Sequence, residues 1–385
     1  MALLRMPDQP PPFWPRFRSP LHSPAIVARV GRVLGIMFAA CFVTGLISHY
    51  AYHPWNWLPF PAAPTWGYRL TQGVHVITGI AIIPLLLVKL WSVYPKLFEW
   101  PPARSALHAL ERLSVALLVS TAIVEVVIGF LNILQWYPWK WSFVFVHYTL
   151  AYLVAGSILL HIAVQLPTIR EGLATPVTPP LTRPTDAAAA DGLSRRGLLV
   201  ATAGGVAVVT ATTLGQVVTP LAPVALLAPR RPKSGPLGIP INRTAAEAGT
   251  TRLAADPTWV LSVDGPRAFT LTLAELESLA AEEGHLPIAC VEGWSISGRW
   301  RGPRLLDIVE RAGGNADSRV RFESLEQNGP FRHSTLEGPQ VRAALLATHL
   351  NGQRLTIDHG YPLRLIAPDH PGVFNTKWLR RITVR

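Results

Sequence analysis

The sequence predicts a membrane α-helical bundle of four spans plus a fifth span, followed by an α+β domain. Of the 385 residues, 49% are hydrophobic and only 15% are charged, whereas charged residues make up about a quarter of a typical soluble domain. Five apolar runs are each long enough for the roughly 20 residues that cross a bilayer. From residue 236 onward, short alternating runs replace them. A single soluble globule and a disordered chain are both excluded.

The basic residues predict the orientation of these spans. They cluster before the first span and in the second and fourth connections, whereas the first and third connections carry only Arg69 and Lys140. The positive-inside rule then places the N-terminus in the cytoplasm, and five spans leave the C-terminal domain outside. We therefore expect a multi-pass protein of a bacterial plasma membrane, in contact with membrane lipid. The spans lie near residues 25–48, 70–93, 110–134, 141–166 and 197–219, and the orienting residues are Arg5, Arg16, Arg18, Arg29, Arg32, Lys89, Lys96, Arg104, Arg112, Arg170, Arg183, Arg195 and Arg196.

Charge and cysteine content exclude several classes of function. The net charge is +12, but residues 1–227 hold 15 Lys and Arg against 7 Asp and Glu, and this excess lies beside apolar runs. Such placement is typical of membrane topology, so we expect no nucleic acid partner. The two cysteines, Cys41 and Cys290, are too few for a disulfide scaffold, a cysteine-rich zinc module or a cysteine-ligated iron–sulfur cluster.

A linker rich in Pro, Thr and Ala separates the fourth and fifth spans. We assign residues 168–196 to a cytoplasmic linker and residues 197–227 to the fifth transmembrane segment. The linker ends in Ser-Arg-Arg-Gly-Leu-Leu, with the arginines at 195 and 196, which looks like a twin-arginine export signal. The alternative is a pair of ordinary positive-inside arginines.

Residues 236–385 are expected to form one α+β domain. Strand-like alternation covers 259–263, 269–273, 319–323 and 363–366, with helical stretches near 273–282, 304–312 and 340–348. A domain of about 150 residues that mixes both patterns is typical of this fold class.

Histidines inside apolar spans need a hydrogen-bond partner or a metal. His147 and His161 lie 14 residues apart on the fourth span, which is close to four helical turns and about 21 Å of rise. This spacing suits two stacked haems, each with one axial imidazole from this helix. His75, beside Gly73 and Gly79, is level with His147 in the predicted topology. At the cytoplasmic end, His161 has two candidate partners, His22 and His108.

This histidine pattern resembles the di-haem cytochrome b membrane subunits of respiratory dehydrogenases and hydrogenases. The resemblance implies a four-span haem domain over residues 1–167, two b haems, and electron exchange with a quinone or quinol. Glu125, inside the third span, has two interpretations: it protonates a quinone, or it pairs with a neighbouring polar group.

The cysteine of the outer domain lies in an informative context. Alone, Cys290 could be a small buried hydrophobe, a nucleophile or a thiolate ligand to a soft metal. It stands, however, in Cys-Val-Glu-Gly-Trp-Ser, followed by Trp-Arg-Gly at 300–302, Asp-His-Gly-Tyr-Pro-Leu-Arg at 358–364 and Lys-Trp-Leu at 377–379. These motifs, in this order, resemble the molybdopterin-binding domain of the sulfite oxidase superfamily.

The resemblance implies a set of site residues. Cys290 aligns with the catalytic cysteine whose thiolate binds molybdenum, and His359 and Arg364 align with residues that hold the pterin and its phosphate. Ser324, Lys377 and Asn242 align with further cofactor contacts, Asn242 being the weakest match. Arg and Lys are the donors that a phosphate prefers. The alternatives are a surface position for Arg364 and a helix-capping role for His359.

Two departures from sulfite oxidases stand out. The chain ends at Arg385, so the resemblance implies no dimerisation domain and no basic substrate-binding tail with its tyrosine. Val-Glu-Gly-Trp follows Cys290, without the arginine typical of sulfite oxidases. This pattern is closer to the periplasmic methionine-sulfoxide reductase catalytic subunits, which work with a haem-bearing membrane partner.

The sequence therefore predicts a membrane-bound, molybdenum-dependent oxidoreductase. It would perform oxo transfer on a small, sulfoxide-like or sulfite-like substrate outside the membrane, and b haems would exchange electrons with the quinone pool. A redox partner protein is also expected, and the direction of electron flow is open. Two alternatives are a haem-only transmembrane electron carrier and a membrane-anchored binding or sensor module with an inactive pterin fold.

Overall fold

The computed structural model describes residues 10–385 except 14, 16, 18, 20, 56, 178–192, 229, 231–232 and 330–331. Four of the residues used to predict the topology, and most of the predicted linker, lie outside the described residues; these four are Arg5, Arg16, Arg18 and Arg183.

Within the described residues, five long helices precede the C-terminal α+β domain. Each is long and apolar enough to cross a membrane, and the mean hydropathy of the most apolar 18-residue windows lies between 1.7 and 2.3. The five predicted spans are confirmed as long apolar helices, and their orientation stays a prediction. The helices are α1 (Pro24–Tyr52), α2 (Gly67–Val93), α3 (Ala106–Ile133), α4 (Phe143–Ala174) and α5 (Arg195–Leu214).

Serine residues begin two of these helices. Ser105 accepts a hydrogen bond from the backbone N–H of His108, and Ser142 accepts one from that of Phe145. Each serine satisfies one of the N–H groups that a helix start leaves without an intrahelical partner. The start of α3 and the start of α4 are therefore fixed locally, directly after the polar connections.

The chain forms two compact units. The first contains residues 1–43 and 77–211, and the second contains residues 44–76 and 212–385. In the first unit, Ile26, Val30 and Leu85 form a buried cluster. The Lys89 ammonium donates to the carbonyl of Val27 at 2.9 Å, which satisfies one donor of a cation that lies among helices. The domain boundaries expected from the sequence stay predictions.

The second unit contains three sheets. A five-stranded sheet has the order β2-β1-β11-β5-β6, a four-stranded sheet has the order β3-β4-β8-β9, and β10 pairs with β7. Strand β1 is parallel to β11, and the other pairings are antiparallel. The strands are β1 (Val260–Asp264), β2 (Phe269–Thr272), β3 (Glu282–Ala289), β4 (Ser295–Gly302), β5 (Val320–Ser324), β6 (His333–Leu336), β7 (Leu345–Ala347), β8 (His349–Leu350), β9 (Gln353–Arg354), β10 (Arg364–Ile366) and β11 (Leu379–Val384).

Short helices and two hydrophobic clusters complete the α+β domain and confirm its class. One cluster includes Phe322 and Leu365, and the other surrounds Trp300, which is fully buried. The second cluster includes Cys290, so the predicted metal ligand lies against a rigid apolar core. The short helices are α6 (Thr251–Ala254), α7 (Leu273–Ser278), α8 (Leu305–Arg311) and α9 (Pro339–Ala343).

One element differs from its predicted type. The stretch 340–348 has a helical pattern, yet α9 ends at Ala343 and residues 345–347 form strand β7. All three residues of β7 are buried, and they pair with β10. Pairing on a buried sheet therefore overrides the local preference for a helix.

Candidate functional site

Cys290 lies in a tight loop that joins β3 to β4. The backbone N–H of Cys290 donates to Trp294, and that of Gly293 donates back to Cys290. Gly293 has a φ of 96°, a left-handed conformation that favours glycine. The loop holds the cysteine with only 4% of its surface exposed.

Asn242 connects this loop to the segment that precedes the domain's first strand. Its amide nitrogen donates to the Cys290 sulfur at 2.8 Å, while its amide oxygen accepts from the Trp294 indole at 2.9 Å. The indole can only donate, so it fixes the orientation of the amide. The structure thus brings the weakest of the sequence-predicted residues directly to the cysteine.

The Cys290 thiol does not ionise easily in this environment. Burial raises the pKa of the Cys290 thiol, and the nearby Glu292 carboxyl raises it further. A thiolate at this position therefore needs a cation, and a bound soft metal ion deprotonates a coordinating thiol. This favours the metal-ligand interpretation of Cys290 over an activated nucleophile.

His359 is held in one tautomer by its two neighbours. Its Nε2 lies 3.0 Å from the carbonyl oxygen of Ile239, and its Nδ1 lies 2.8 Å from the Thr356 hydroxyl. Because a carbonyl only accepts, Nε2 carries the proton and Nδ1 accepts from the hydroxyl. Burial and the Arg364 charge lower the pKa of His359 to about 4, so the ring is neutral near pH 7.

Arg364 is buried, contrary to the surface alternative. One of its terminal nitrogens donates to the carbonyl of His359 at 3.1 Å, and its guanidinium lies 5.4 Å from the centre of the Trp300 ring. Its Nε is buried without a hydrogen-bond partner among the described residues. Burial lowers the pKa of Arg364 to about 10, so it stays positively charged.

Lys377 is the second buried cation of the site. Its ammonium donates to the carbonyls of Arg243 and Asp358 at 2.8 and 2.7 Å. Burial and the charge of Arg364 lower its pKa to about 7, so the amine is about half protonated near pH 7, and a neighbouring anion would favour the charged form. Ser324 supports this residue indirectly, because its hydroxyl donates to the backbone carbonyl of Lys377 at 2.8 Å.

Together these residues fit the expected cofactor. No ion pair neutralises Arg364 or Lys377 within the described part of the chain, and buried charges of like sign are costly without a counter-charge. An anionic phosphate would supply that counter-charge, while Cys290 offers one soft sulfur to a metal. Among the described residues, no group of three His, Cys, Asp or Glu side chains forms a metal site; a site with one protein thiolate needs none.

Sequence reasoning assigned no role to Glu292, which lies two residues after the cysteine. Its carboxyl is buried, and an oxygen lies 3.8 Å from Arg230 Nε. Burial raises the pKa of Glu292 to about 7, which suits a residue that gains and loses a proton near neutral pH. Its position two residues after Cys290 is the sequence feature that could have identified it.

The predicted haem ligands have the following surroundings. His147 Nδ1 lies 3.0 Å from a carboxylate oxygen of Glu125, and such a partner orients the imidazole of a metal ligand. This contact supports the pairing interpretation of Glu125. His22 Nδ1 lies 3.2 Å from the carbonyl of Ser92. His161 lies on α4 and His75 on α2, with the glycine at 45 against the His75 ring. The side chain of His108 accepts from the backbone N–H at residue 104.

Comparisons with known proteins locate the similarity in the C-terminal domain. The family model "Oxidoreductase molybdopterin binding domain" matches residues 248–385. Mitochondrial sulfite oxidase of Homo sapiens is 35% identical over 96 residues, which cover 23% of this chain and 18% of that protein. The uncharacterized oxidoreductase YuiH of Bacillus subtilis is 32% identical over 127 residues, which cover 32% of this chain and 64% of YuiH. Nitrate reductase [NAD(P)H] of Hordeum vulgare is 38% identical over 97 residues, which cover 22% of this chain and 11% of that enzyme.

The matches leave most of this chain and most of each sulfite oxidase outside the comparison. The chain spans less than a fifth of the length of the mammalian sulfite oxidases and less than two thirds of YuiH. The similarity therefore identifies the domain that follows the five apolar helices.

Proposed function

Since residues 248–385 form a molybdopterin-binding oxidoreductase domain of the sulfite oxidase family, we propose that this chain is a membrane-anchored enzyme of oxo transfer. Its substrate is a small sulfoxide-like or sulfite-like molecule outside the membrane. The observation that carries this proposal is the buried Cys290 sulfur, held by Asn242, in the same domain as the buried basic side chains of Arg364 and Lys377, which form no ion pair among the described residues.

The residues of the chain divide the work of binding and orientation. When bound, the molybdenum centre supplies two-electron oxo-transfer chemistry. Cys290 gives it one sulfur ligand, and Asn242 fixes the direction of that sulfur. Arg364 and Lys377 neutralise the phosphate of the pterin, and His359 offers a neutral ring whose tautomer is fixed by Ile239 and Thr356.

Glu292 supplies a proton near the sulfur in this proposal. Reduction of a sulfoxide consumes two electrons and two protons and yields a sulfide and water. A carboxyl with a pKa of about 7 is half protonated at neutral pH and can donate one of those protons. The second proton enters from solvent. The likeness of the Cys-Val-Glu-Gly-Trp motif to the methionine-sulfoxide reductase subunits favours reduction over oxidation.

The membrane helices carry electrons in the same proposal. Two b haems, with His75, His147, His161 and His22 as axial ligands, exchange electrons with the quinone pool. The contact between His147 and Glu125 supports an oriented imidazole. In this proposal a redox partner protein also exchanges electrons with the chain, either as a donor or as an acceptor.

Elemental analysis of the detergent-purified chain tests the proposal. We expect molybdenum and iron together, with visible absorption typical of b haems. Iron without molybdenum would support a haem-only carrier, and absence of both metals after expression with ample cofactor supply would support a binding module. Either result would overturn the proposed function.

A pair of cysteine variants, one at the proposed sulfur ligand and one at the other cysteine, gives a test and its matched control. Cys290→Ser should abolish substrate turnover and leave the haem spectrum unchanged, because the substitution acts only on the molybdenum site. Cys41→Ser, at the other cysteine, should leave turnover intact. A screen of sulfoxides and sulfite with dye electron donors and acceptors, run in both directions, identifies the substrate and the direction of electron flow.

A further inference from the structure

One face of the first turns of α2 contacts the cysteine loop. Residues 68, 72 and 76 recur every four positions, so their side chains lie on the same side of the helix. His75 lies three residues after Gln72 and therefore on that side too. All of these residues belong to the second compact unit, together with the loop.

The contacts on this face lie at and beside the residues that flank Cys290. Tyr68 packs in one buried cluster with Ala289, the residue before the cysteine. The amide nitrogen of Gln72 donates to the carbonyl of Val291, the residue after it, at 3.1 Å. Val76 contacts Gly293 so closely that a methyl group added there would come within 2.6 Å of its side chain.

The burial of Gln72 at this position is energetically unfavourable. Its side chain is buried, with 4% of its surface exposed. The Val291 carbonyl can only accept, so the amide nitrogen faces the loop and the amide oxygen faces away. That oxygen has no hydrogen-bond partner among the described residues. A buried amide with only one of its two groups hydrogen-bonded is unfavourable. This residue therefore destabilises the fold in exchange for one hydrogen bond beside the cysteine, which indicates a functional role for that bond.

Two further contacts hold the helix start against the outer domain. Arg69 donates to the carbonyl of Val217 at 2.8 Å and to the Ser297 hydroxyl at 3.3 Å. The Asp369 carboxylate accepts from the backbone N–H of Tyr68, as a capping residue does at a helix N-terminus. The position of Gln72 relative to the loop is therefore defined by several independent bonds.

We propose that Gln72 is a positioning residue for electron transfer between the two redox sites. This inference rests on the proposed function, with molybdenum at Cys290 and haem at His75. With both cofactors bound, one electron at a time would pass from the haem held by His75 along one turn of α2 to Gln72, across its hydrogen bond to Val291, and along the Val291–Cys290 peptide to the molybdenum. Each transfer would oxidise the haem and reduce the molybdenum by one electron, and no covalent bond would form or break on the way.

The chain offers a matched control at Gln340. Its amide nitrogen donates to the carbonyl of Pro61 at 3.0 Å, its amide oxygen is buried without a hydrogen-bond partner among the described residues, and 3% of its surface is exposed. It therefore reproduces the chemistry of Gln72 between the same two chain segments, 44–76 and 212–385, but its hydrogen bond goes to Pro61 instead of to a residue beside Cys290. Gln72→Leu and Gln340→Leu remove the same kind of bond.

The experiment separates electron transfer from substrate chemistry. The purified full-length protein is reduced, mixed rapidly with the substrate found in the screen, and followed by haem absorbance; steady-state turnover with a soluble viologen donor is measured separately. We expect Gln72→Leu to slow haem oxidation by about tenfold or more, because small displacements of reacting groups have large effects on rate. Viologen-coupled turnover, molybdenum content and the haem spectrum should stay unchanged, and Gln340→Leu should match the wild type throughout.

Each other outcome counts against the inference in a distinct way. Unchanged haem oxidation in Gln72→Leu would overturn it alone, as would an equal loss of both activities. Wild-type protein without haem or molybdenum would overturn the proposed function first. If Gln72→Leu fails to accumulate, Gln72→Glu replaces it, and its haem-oxidation rate is divided by that of the wild type at the same pH. This ratio should be small at high pH and recover as the carboxyl is protonated and can again donate to Val291. A ratio that does not change with pH would overturn the inference.

Discussion

Arg364 carries a positive charge into the interior of the C-terminal domain without an ionic partner among the described residues, and Lys377, with a pKa of about 7, is partly charged beside it. A buried charge without a counter-charge is costly, so an apolar side chain of similar size in its place removes that cost. We therefore expect Arg364→Met to keep the fold of the cofactor-free domain and to lose bound molybdenum, because a phosphate then lacks its counter-charge. Elemental analysis and thermal unfolding measure the two effects.

The control for this prediction is Arg342→Met. Arg342 is exposed and pairs with Asp317, and an exposed ion pair contributes at most about 1 kcal/mol. Its molybdenum content should equal that of the wild type. Full molybdenum content in Arg364→Met would show that the phosphate is held elsewhere.

Glu292 predicts a specific dependence of activity on pH. Its pKa is about 7, compared with an ordinary value of 4.5. If it donates a proton during reduction, turnover should fall as the pH rises through 7. Glu292→Gln should no longer show this fall with pH, and its rate should be lower than that of the wild type by about a hundredfold or more. Turnover of the two proteins from pH 5 to 9 checks this. A Glu292→Gln profile identical to the wild type would exclude the carboxyl as the donor.

The same carboxyl makes a prediction for stability. Because its folded-state pKa is raised by burial, folding favours the protonated form. That contribution is complete below about pH 4.5 and is lost as the pH rises to about 7. Relative to the wild type, Glu292→Gln should therefore gain thermal stability at pH 8 and gain little at pH 4. An equal difference at both pH values would contradict the assignment.

The loop between β3 and β4 carries the cysteine and packs against helix α2. Gly293 has a positive φ and lies against Val76, so Gly293→Ala meets both backbone strain and a collision. Gly352, between β8 and β9, has a φ of 83° and no heavy atom within 4 Å of an added methyl group. We expect Gly352→Ala to cost about 1–2 kcal/mol from strain alone and Gly293→Ala to cost more. Thermal unfolding of both variants measures the difference, and equal losses would argue against close packing of Val76 on the loop.

The whole molecule must place a cofactor-binding domain on the correct side of a membrane. If Arg195 and Arg196 form a twin-arginine signal, the domain crosses the membrane already folded around its cofactor. Changing both to Lys preserves the positive charge, so the positive-inside rule still holds, but it should leave the outer domain in the cytoplasm. Protease accessibility in spheroplasts measures its location. Normal export of the double variant would favour the alternative of two ordinary topology residues.

Local properties of the chain were enough to predict its two-part architecture. Hydropathy acts within a window of about 20 residues, so α1 to α5 could be read directly, and the motif around Cys290 predicts a metal ligand there. Where a segment's environment is set by distant residues, the local pattern failed. Within the helical stretch 340–348, residues 345–347 form strand β7, because burial against β10 outweighs helix propensity.

Only the tertiary structure decided which residues meet. Asn242 reaches the sulfur of Cys290 across 48 positions of sequence, and Gln72 reaches Val291 across 219. No periodicity or spacing encodes such contacts, because they depend on how sheets and helices pack once formed. The basic side chains at 364 and 377 likewise became candidates for anion binding only when folding removed water from them and supplied no ion-pair partner among the described residues. The sequence thus determined the elements and the chemistry available, and packing decided the geometry that puts this chemistry to use.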